Sequence, residues 1–298
     1  MSQQLEMFAE SGRILAQVRE FVTTLPLAGS SVLELCEQVE GKIRGLGAEP
    51  AFPCNVGINE IAAHYTSPWN DASSIPDGSI VKVDFGVALD GFVTDSAITV
   101  SLNPAYDSMK VAAESALQEA LAAVAPGRRL SEIGTVVERC IERYGFRPIR
   151  NLTGHKIDRY TIHAGKSVPN VSGMESGRFE VGEVYAIEPF VTLKNAEGAV
   201  RDGDSAYIYR FVKVKGAKSS DAIKLAEFVR ETYKTLPFAS RWAHNSWSGA
   251  NFSEAFEELV KRRCIVGYPV LVEASGHVVA QAEHTIVVTE NGCRVLTA

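Results

Sequence analysis

The chain has 298 residues, 46% of them apolar and 22% charged, the ordinary composition of a globular protein with room for a sizeable core. Its formal net charge is −6, with 36 acids against 30 bases and no long run of either sign, which argues against an electrostatic nucleic-acid binder. No apolar run approaches the ~20 residues of a membrane span, no signal-peptide pattern opens the chain, and the five scattered cysteines form no C-x-x-C, so a cytoplasmic protein with reduced thiols is expected.

Residues 5–24 carry apolar side chains at helical spacing. The stretch SSVLELCEQVEGKIRGLG follows, with Ser31 and Glu34 placed as a capping box and glycines at its end, so two helices open the chain. Residues 81–100, VKVDFGVALDGFVTDSAITV, are two β-branched and aromatic runs around Asp90-Gly91, the pair that a two-residue type I′ hairpin demands. With those two residues as the loop, Leu89 faces Phe92, Asp84 faces Ala97 and Asp95 faces Gly86. The two aspartates then share one face as diagonal neighbours, roughly 7 to 8 Å apart between backbones. A lone strand aspartate could cap a turn or pair with a surface lysine. Two on one face of one hairpin point to a cation between them, because an unpaired buried carboxylate is costly and a divalent ion offsets their repulsion.

Beyond the hairpin, the Ala-rich YDSMKVAAESALQEALAAVAPG and the amphipathic LSEIGTVVERCIERYG predict two helices that cover a sheet, ended by Pro126-Gly127 and Gly145. Residues 147–170 read as irregular and histidine-bearing. GEVYAIEPFVTL (182–193) and VVAQAEHTIVVTE (278–290) read as strands. Between them, residues 219–263 predict three short helices with seven bases and six acids, which is no basic face and fits a structural or pocket-forming insertion. The expected architecture is α+β: one domain over residues 1–298, a mixed sheet with covering helices, and a helical insertion at about 215–265.

Three further ligand-type residues stand in unusual contexts: His155 in NLTGHKIDRY, Glu188 in YAIEPF and Glu283 in QAEHTIVV. Singly, each has a plain reading as a solvated loop histidine or as an acid on the polar face of a half-exposed strand. Glu188, however, lies in an apolar run just before Pro189, and Glu283 just before HTIVV, where exposed side chains are not expected. Asp84, Asp95, Glu188 and Glu283 sum to −4, which two divalent cations balance with His155 neutral. Two such ions can lower the pKa of a shared water and polarise a carbonyl, so amide hydrolysis is the implied chemistry.

The contexts DFGVALDGFVTD, GHKI, IEPF and EHTIVV, together with FPCNVGINEIAAHYTSP (52–68), resemble the methionine aminopeptidases of the pita-bread fold over nearly the whole chain. The long connection from Glu188 to Glu283, with its three-helix insertion, is similar to type 2 enzymes in their compact archaeal form. The resemblance implies a pita-bread fold with a curved sheet. It also implies removal of N-terminal methionine from nascent proteins and peptides when the second residue is small, with a metal-bridging hydroxide attacking the scissile amide. By the same resemblance, Asp84 chelates one ion, Asp95 and Glu283 bridge both, and His155 and Glu188 complete the second site, with Glu188 also shuttling a proton. His64 and His163 correspond to the non-ligand histidines that contact the scissile amide. Phe52, Ile162, Phe190 and Tyr268 correspond to the methionine pocket, where an unbranched thioether packs well against aromatic surface.

The implied cofactors are two divalent ions, and oxygen and imidazole ligands suit Co, Mn, Fe(II) or Zn alike. The implied partners are N-termini of nascent polypeptides, with transient ribosome association, for a monomer that engages neither nucleic acid nor membrane. A long charged N-terminal extension, present in eukaryotic type 2 enzymes and one route to ribosome docking, is not expected here. Prolidases and X-Pro aminopeptidases share the fold but usually carry an additional N-terminal domain, for which the residues before AAHYTSP leave no room. Non-catalytic pita-bread binding proteins have lost ligands, whereas all five ligand positions are filled here. Cys54, two residues from Phe52, is either a thiol open to reagents at the pocket or a buried inert one.

Overall fold

The computed structural model describes residues 3–173 and 177–298. Helices α1 (Gln3–Thr23) and α2 (Val32–Gly45) form where the apolar spacing requires them, and Ser31 caps α2 by accepting from the Glu34 N–H at 3.3 Å. Their inner faces, including Leu15, Val18, Leu35 and Val39, pack on Val81, Val83, Phe85 and Val87 of the hairpin. The hairpin pairs strands Ile80–Leu89 and Phe92–Ser101 in the expected register, Asp84 opposite Ala97 and Gly86 opposite Asp95. Asp90 and Gly91 both hold positive φ, 49° and 82°, as a type I′ turn needs.

Helices α3 (Asp107–Ala123) and α4 (Leu130–Arg143) cover a second layer, packing Ala113, Leu117, Ile133 and Val137 against Tyr185, Ile187, Val191 and Ile286. Residues 147–170 are more regular than their sequence suggests, because Thr153–Ile157 is a strand between Ser167–Pro169 and Val184–Ile187. Five residues with a glycine among them are too few for a period of two to declare itself. Strand directions are also more uniform than a mixed sheet implies: every pairing between named strands is antiparallel.

Both late strands are interrupted. GEVYAIEPFVTL divides into Val184–Ile187 and Phe190–Thr192, and VVAQAEHTIVVTE into Val279–Gln281 and His284–Thr289. Pro189 has no N–H to donate, so the ladder cannot run through it. The two gaps coincide, since Ile187 pairs with His284 on one side and Phe190 with Gln281 on the other. Glu188-Pro189 and Ala282-Glu283 therefore occupy one opening in the sheet.

Between strands Val200–Phe211 and Ile265–Glu273 lie helices α5 (Ser220–Tyr233), α6 (Ser240–Ser246) and α7 (Phe252–Lys261). They close over a separate cluster that includes Leu225, Val229, Phe238, Phe256 and Leu259. Among the described residues, no helix is long and apolar enough to cross a membrane.

Candidate active site

The hairpin brings Asp84 and Asp95 to one face, and the sheet opening brings Glu188 and Glu283 beside them. His155 sits mid-strand opposite Ala186, the residue before Ile187, and so points its ring at the same opening. Its Nδ1 lies 2.8 Å from the Ile162 carbonyl. An N–H donated there leaves Nε2 as a bare acceptor, the tautomer of a metal-ligating histidine. That Nε2 is 3.6 Å from Asp95 Oδ2 and 3.5 Å from Glu188 Oε1. Asp95, His155 and Glu283 each offer a ligand atom within 4.8 Å of the others.

Three carboxylate oxygens of this cluster have no protein partner. Asp84 Oδ1, Asp95 Oδ1 and Glu283 Oε1 are buried without a hydrogen-bond partner. Burial pushes Asp84 up to about 7. It also lifts Asp95, Glu188 and Glu283 well above the ordinary carboxylate range, and the neighbouring carboxylates in the cluster add to the effect. Burial holds the His155 imidazole neutral, down to about 3. Four acids and a neutral imidazole converge on one opening, a donor set that hard divalent ions fit.

A second set of contacts holds this cluster in place. The Thr285 hydroxyl accepts from the Asp95 N–H at 2.7 Å and donates to the Asp95 carbonyl at 2.8 Å. Arg19 of α1 donates to Ser96 Oγ at 2.8 Å and to the Ala97 carbonyl at 2.9 Å, and Ser96 donates to the Glu283 carbonyl at 2.9 Å. The Gln281 amide reaches Glu188 at 3.5 Å and Glu283 at 3.4 Å. Sequence reading missed these residues. Only Gln281 carried a signal, being two positions from Glu283 and so on the same strand face.

A cavity of about 220 Å³ is lined by the apolar or aromatic Phe52, Ile162, Phe190 and Tyr268 together with Asp84, Asp95, His155, Glu188, His64 and His163. Every expected ligand, catalytic and methionine-pocket residue except Glu283 borders it directly; Glu283 is buried, 1% exposed. His64 takes a left-handed φ of 63°, with Nδ1 3.2 Å from the Pro269 carbonyl, and burial pushes its imidazole below the usual value. The His163 ring stands 4.3 Å from that of His155. The insertion contributes Pro237 to the rim. Cys54 is 1% exposed, and burial raises its thiol well above the usual value, so it is a buried thiol and does not line the cavity.

A sheet opened to seat acids and a histidine around cation-sized space, under helical cover, defines the class of metallopeptidases with the pita-bread fold. The profile of metallopeptidase family M24 matches residues 6–290, and the chain belongs to that family. It is 42% identical over 294 residues, 98% of each chain, to the methionine aminopeptidase of Methanocaldococcus jannaschii. Among solved structures, a thermophilic Arx1 superposes with a TM-score of 0.84 at 20% identity, covering 99% of this chain and 91% of the other. The methionine aminopeptidase of Rickettsia prowazekii superposes at 0.71 with 17% identity, covering 100% and 98%.

Proposed function

We propose that this protein is a methionine aminopeptidase that removes N-terminal methionine from nascent polypeptides and peptides whose second residue is small. The observation that carries the reading is the meeting of Asp95, His155 and Glu283 within 4.8 Å, with orphaned carboxylate oxygens, beneath a cavity walled by Phe52, Ile162, Phe190 and Tyr268. Relatives at this level of identity that bear the same activity favour it over the prolidase and X-Pro alternative.

In this reading Asp84, Asp95, His155, Glu188 and Glu283 would hold two divalent cations. When bound, the ions supply a water of lowered pKa and a Lewis acid for the carbonyl. The remaining work belongs to side chains. Glu188 takes the proton from the attacking water on a carboxylate oxygen and passes it to the departing amine. His64 and His163 contact the scissile amide and stabilise charge growing on its oxygen, which is worth most in a site closed to solvent. The aromatic wall takes the thioether, and branched or charged side chains lose that packing. The protein acts as a cytoplasmic monomer with transient ribosome contact, since its substrate is an emerging N-terminus.

The test is release of free amino acid from Met-Ala-Ser, Leu-Ala-Ser and Ala-Pro-Ser by metal-stripped protein, with and without added Mn, Co or Fe(II). Metal-dependent cleavage of the first alone is expected. Preference for Ala-Pro-Ser would move the protein to the X-Pro branch, and no cleavage with any metal would overturn the enzymatic reading.

A further inference from the structure

The largest fully buried side chain among the described residues is a charged one, Arg241, in the first turn of α6 within the insertion. It is 1% exposed, and its partner Glu40 of α2 is 2% exposed. Arg241 Nη2 is ion-paired with Glu40 Oε1, while Nη1 donates to Thr66 Oγ1 at 2.7 Å and to the Ser67 carbonyl at 3.0 Å. Glu40 also accepts from the Cys54 N–H at 3.1 Å and from Trp242 Nε1 at 2.7 Å. One buried pair thus fastens four stretches of chain.

Two of those stretches carry site residues. Thr66 lies two positions after His64, and Cys54 two positions after Phe52. They are tied to each other by the Val56 N–H donating to the Tyr65 carbonyl at 2.8 Å. The Phe52 ring in turn lies on Gly86, where an added Cβ would come within 2.4 Å of it, and Gly86 faces Asp95 across the hairpin. The left-handed backbone of His64 is a conformation that non-glycine residues keep only where their surroundings over-determine it. Cohesion alone does not call for such a pair, since well-packed apolar residues hold buried sites together as well or better. What the guanidinium adds is a rigid fork that fixes several acceptors in direction, which an apolar side chain cannot do.

We propose that Glu40 and Arg241 are positioning residues for the active site: from behind, they clamp the segment bearing His64 and the segment bearing Phe52 onto the insertion. The insertion thereby sets the aim of a histidine at the scissile amide and the position of one pocket wall. The roles of His64 and Phe52 rest on the aminopeptidase reading, and the clamp itself does not.

The experiment compares Arg241→Lys and Thr66→Val with the unaltered protein by amide hydrogen exchange, by metal content, and by kcat and KM on Met-Ala-Ser. Lysine keeps the charge and loses the fork, and valine removes one acceptor at nearly constant size. Exchange is expected to quicken in residues 52–56 and 64–67 and not along the hairpin 80–101. Turnover should fall about tenfold or more with a smaller change in KM and unchanged metal content, as misplacement of a contacting group does. The double variant E40Q/R241M leaves no buried charge unpaired and should show the same split while remaining folded. Unchanged exchange in both stretches with full kcat would overturn the proposal. So would a loss of activity that merely tracks the folded fraction, with exchange raised evenly across the chain. If the unaltered protein cleaves none of the peptides with any metal, the aminopeptidase reading falls, and the exchange pattern alone decides the clamp.

Discussion

At Glu188 and Glu283 the chain puts carboxylates where a proline and its facing partner interrupt two strands, and Glu188 reaches the cavity, with Glu283 buried in the same cluster, because the ladder stops there. Replacing Asp95 with alanine should abolish hydrolysis and release metal together, read by metal content after gel filtration; full activity with full metal would sink the dinuclear assignment. His64→Ala should lower kcat about 10²-fold or more with metal retained, since it removes a stabilising contact and no ligand. Asp95, Glu188 and Glu283 were legible because acids and a proline inside apolar runs contradict their surroundings, whereas His64 was marked only by the family resemblance. Arg19 was not: on a helix beginning the chain it looks like any solvated base, and only the fold reveals that it reaches Ser96 and Ala97.

Among the elements, the hairpin was readable to the residue because a two-residue turn and a period of two leave no freedom of register. The strand bearing His155 was not, since five residues carry too little pattern. Its register is held instead by Glu183, at the start of the neighbouring chain segment, which accepts from Lys156 and Lys166 at 2.8 Å each and from the Tyr185 hydroxyl at 2.6 Å. Burial alone would raise that carboxyl, but these bonds outweigh it and bring it down to about 2. A depressed carboxyl stabilises the fold above its unfolded value and loses that contribution as pH falls through the folded one. Glu183→Gln should therefore be less stable than the unaltered protein at pH 7, and the difference should shrink on acidification from about 4.5 towards about 2, followed by urea unfolding. A pH-independent difference would assign the effect to packing. At the hairpin itself, Gly86→Ala puts a methyl 2.4 Å from Phe52 and 2.9 Å from the Thr94 carbonyl, and should cost about 1 to 3 kcal/mol, less where Phe52 swings out of the pocket wall to relieve its share of the clash. Lower affinity for methionine product would report that second outcome.

For the molecule as a whole, cations that bind only the folded state stabilise it by mass action, about 2.7 kcal/mol at a hundredfold excess over Kd. Metal-stripped protein should accordingly melt at a lower temperature than protein with Mn or Co restored, and equal melting temperatures would show that the carboxylate cluster is not where the ions go. The same cluster has a consequence in time. Asp95 and Thr285 meet across 190 residues of sequence. A chain leaving the ribosome presents the hairpin well before the strand bearing Thr285, so the acids stay apart until that strand docks. An enzyme that trims other proteins at birth thus assembles its own carboxylate cluster only once two segments made far apart in time have folded together.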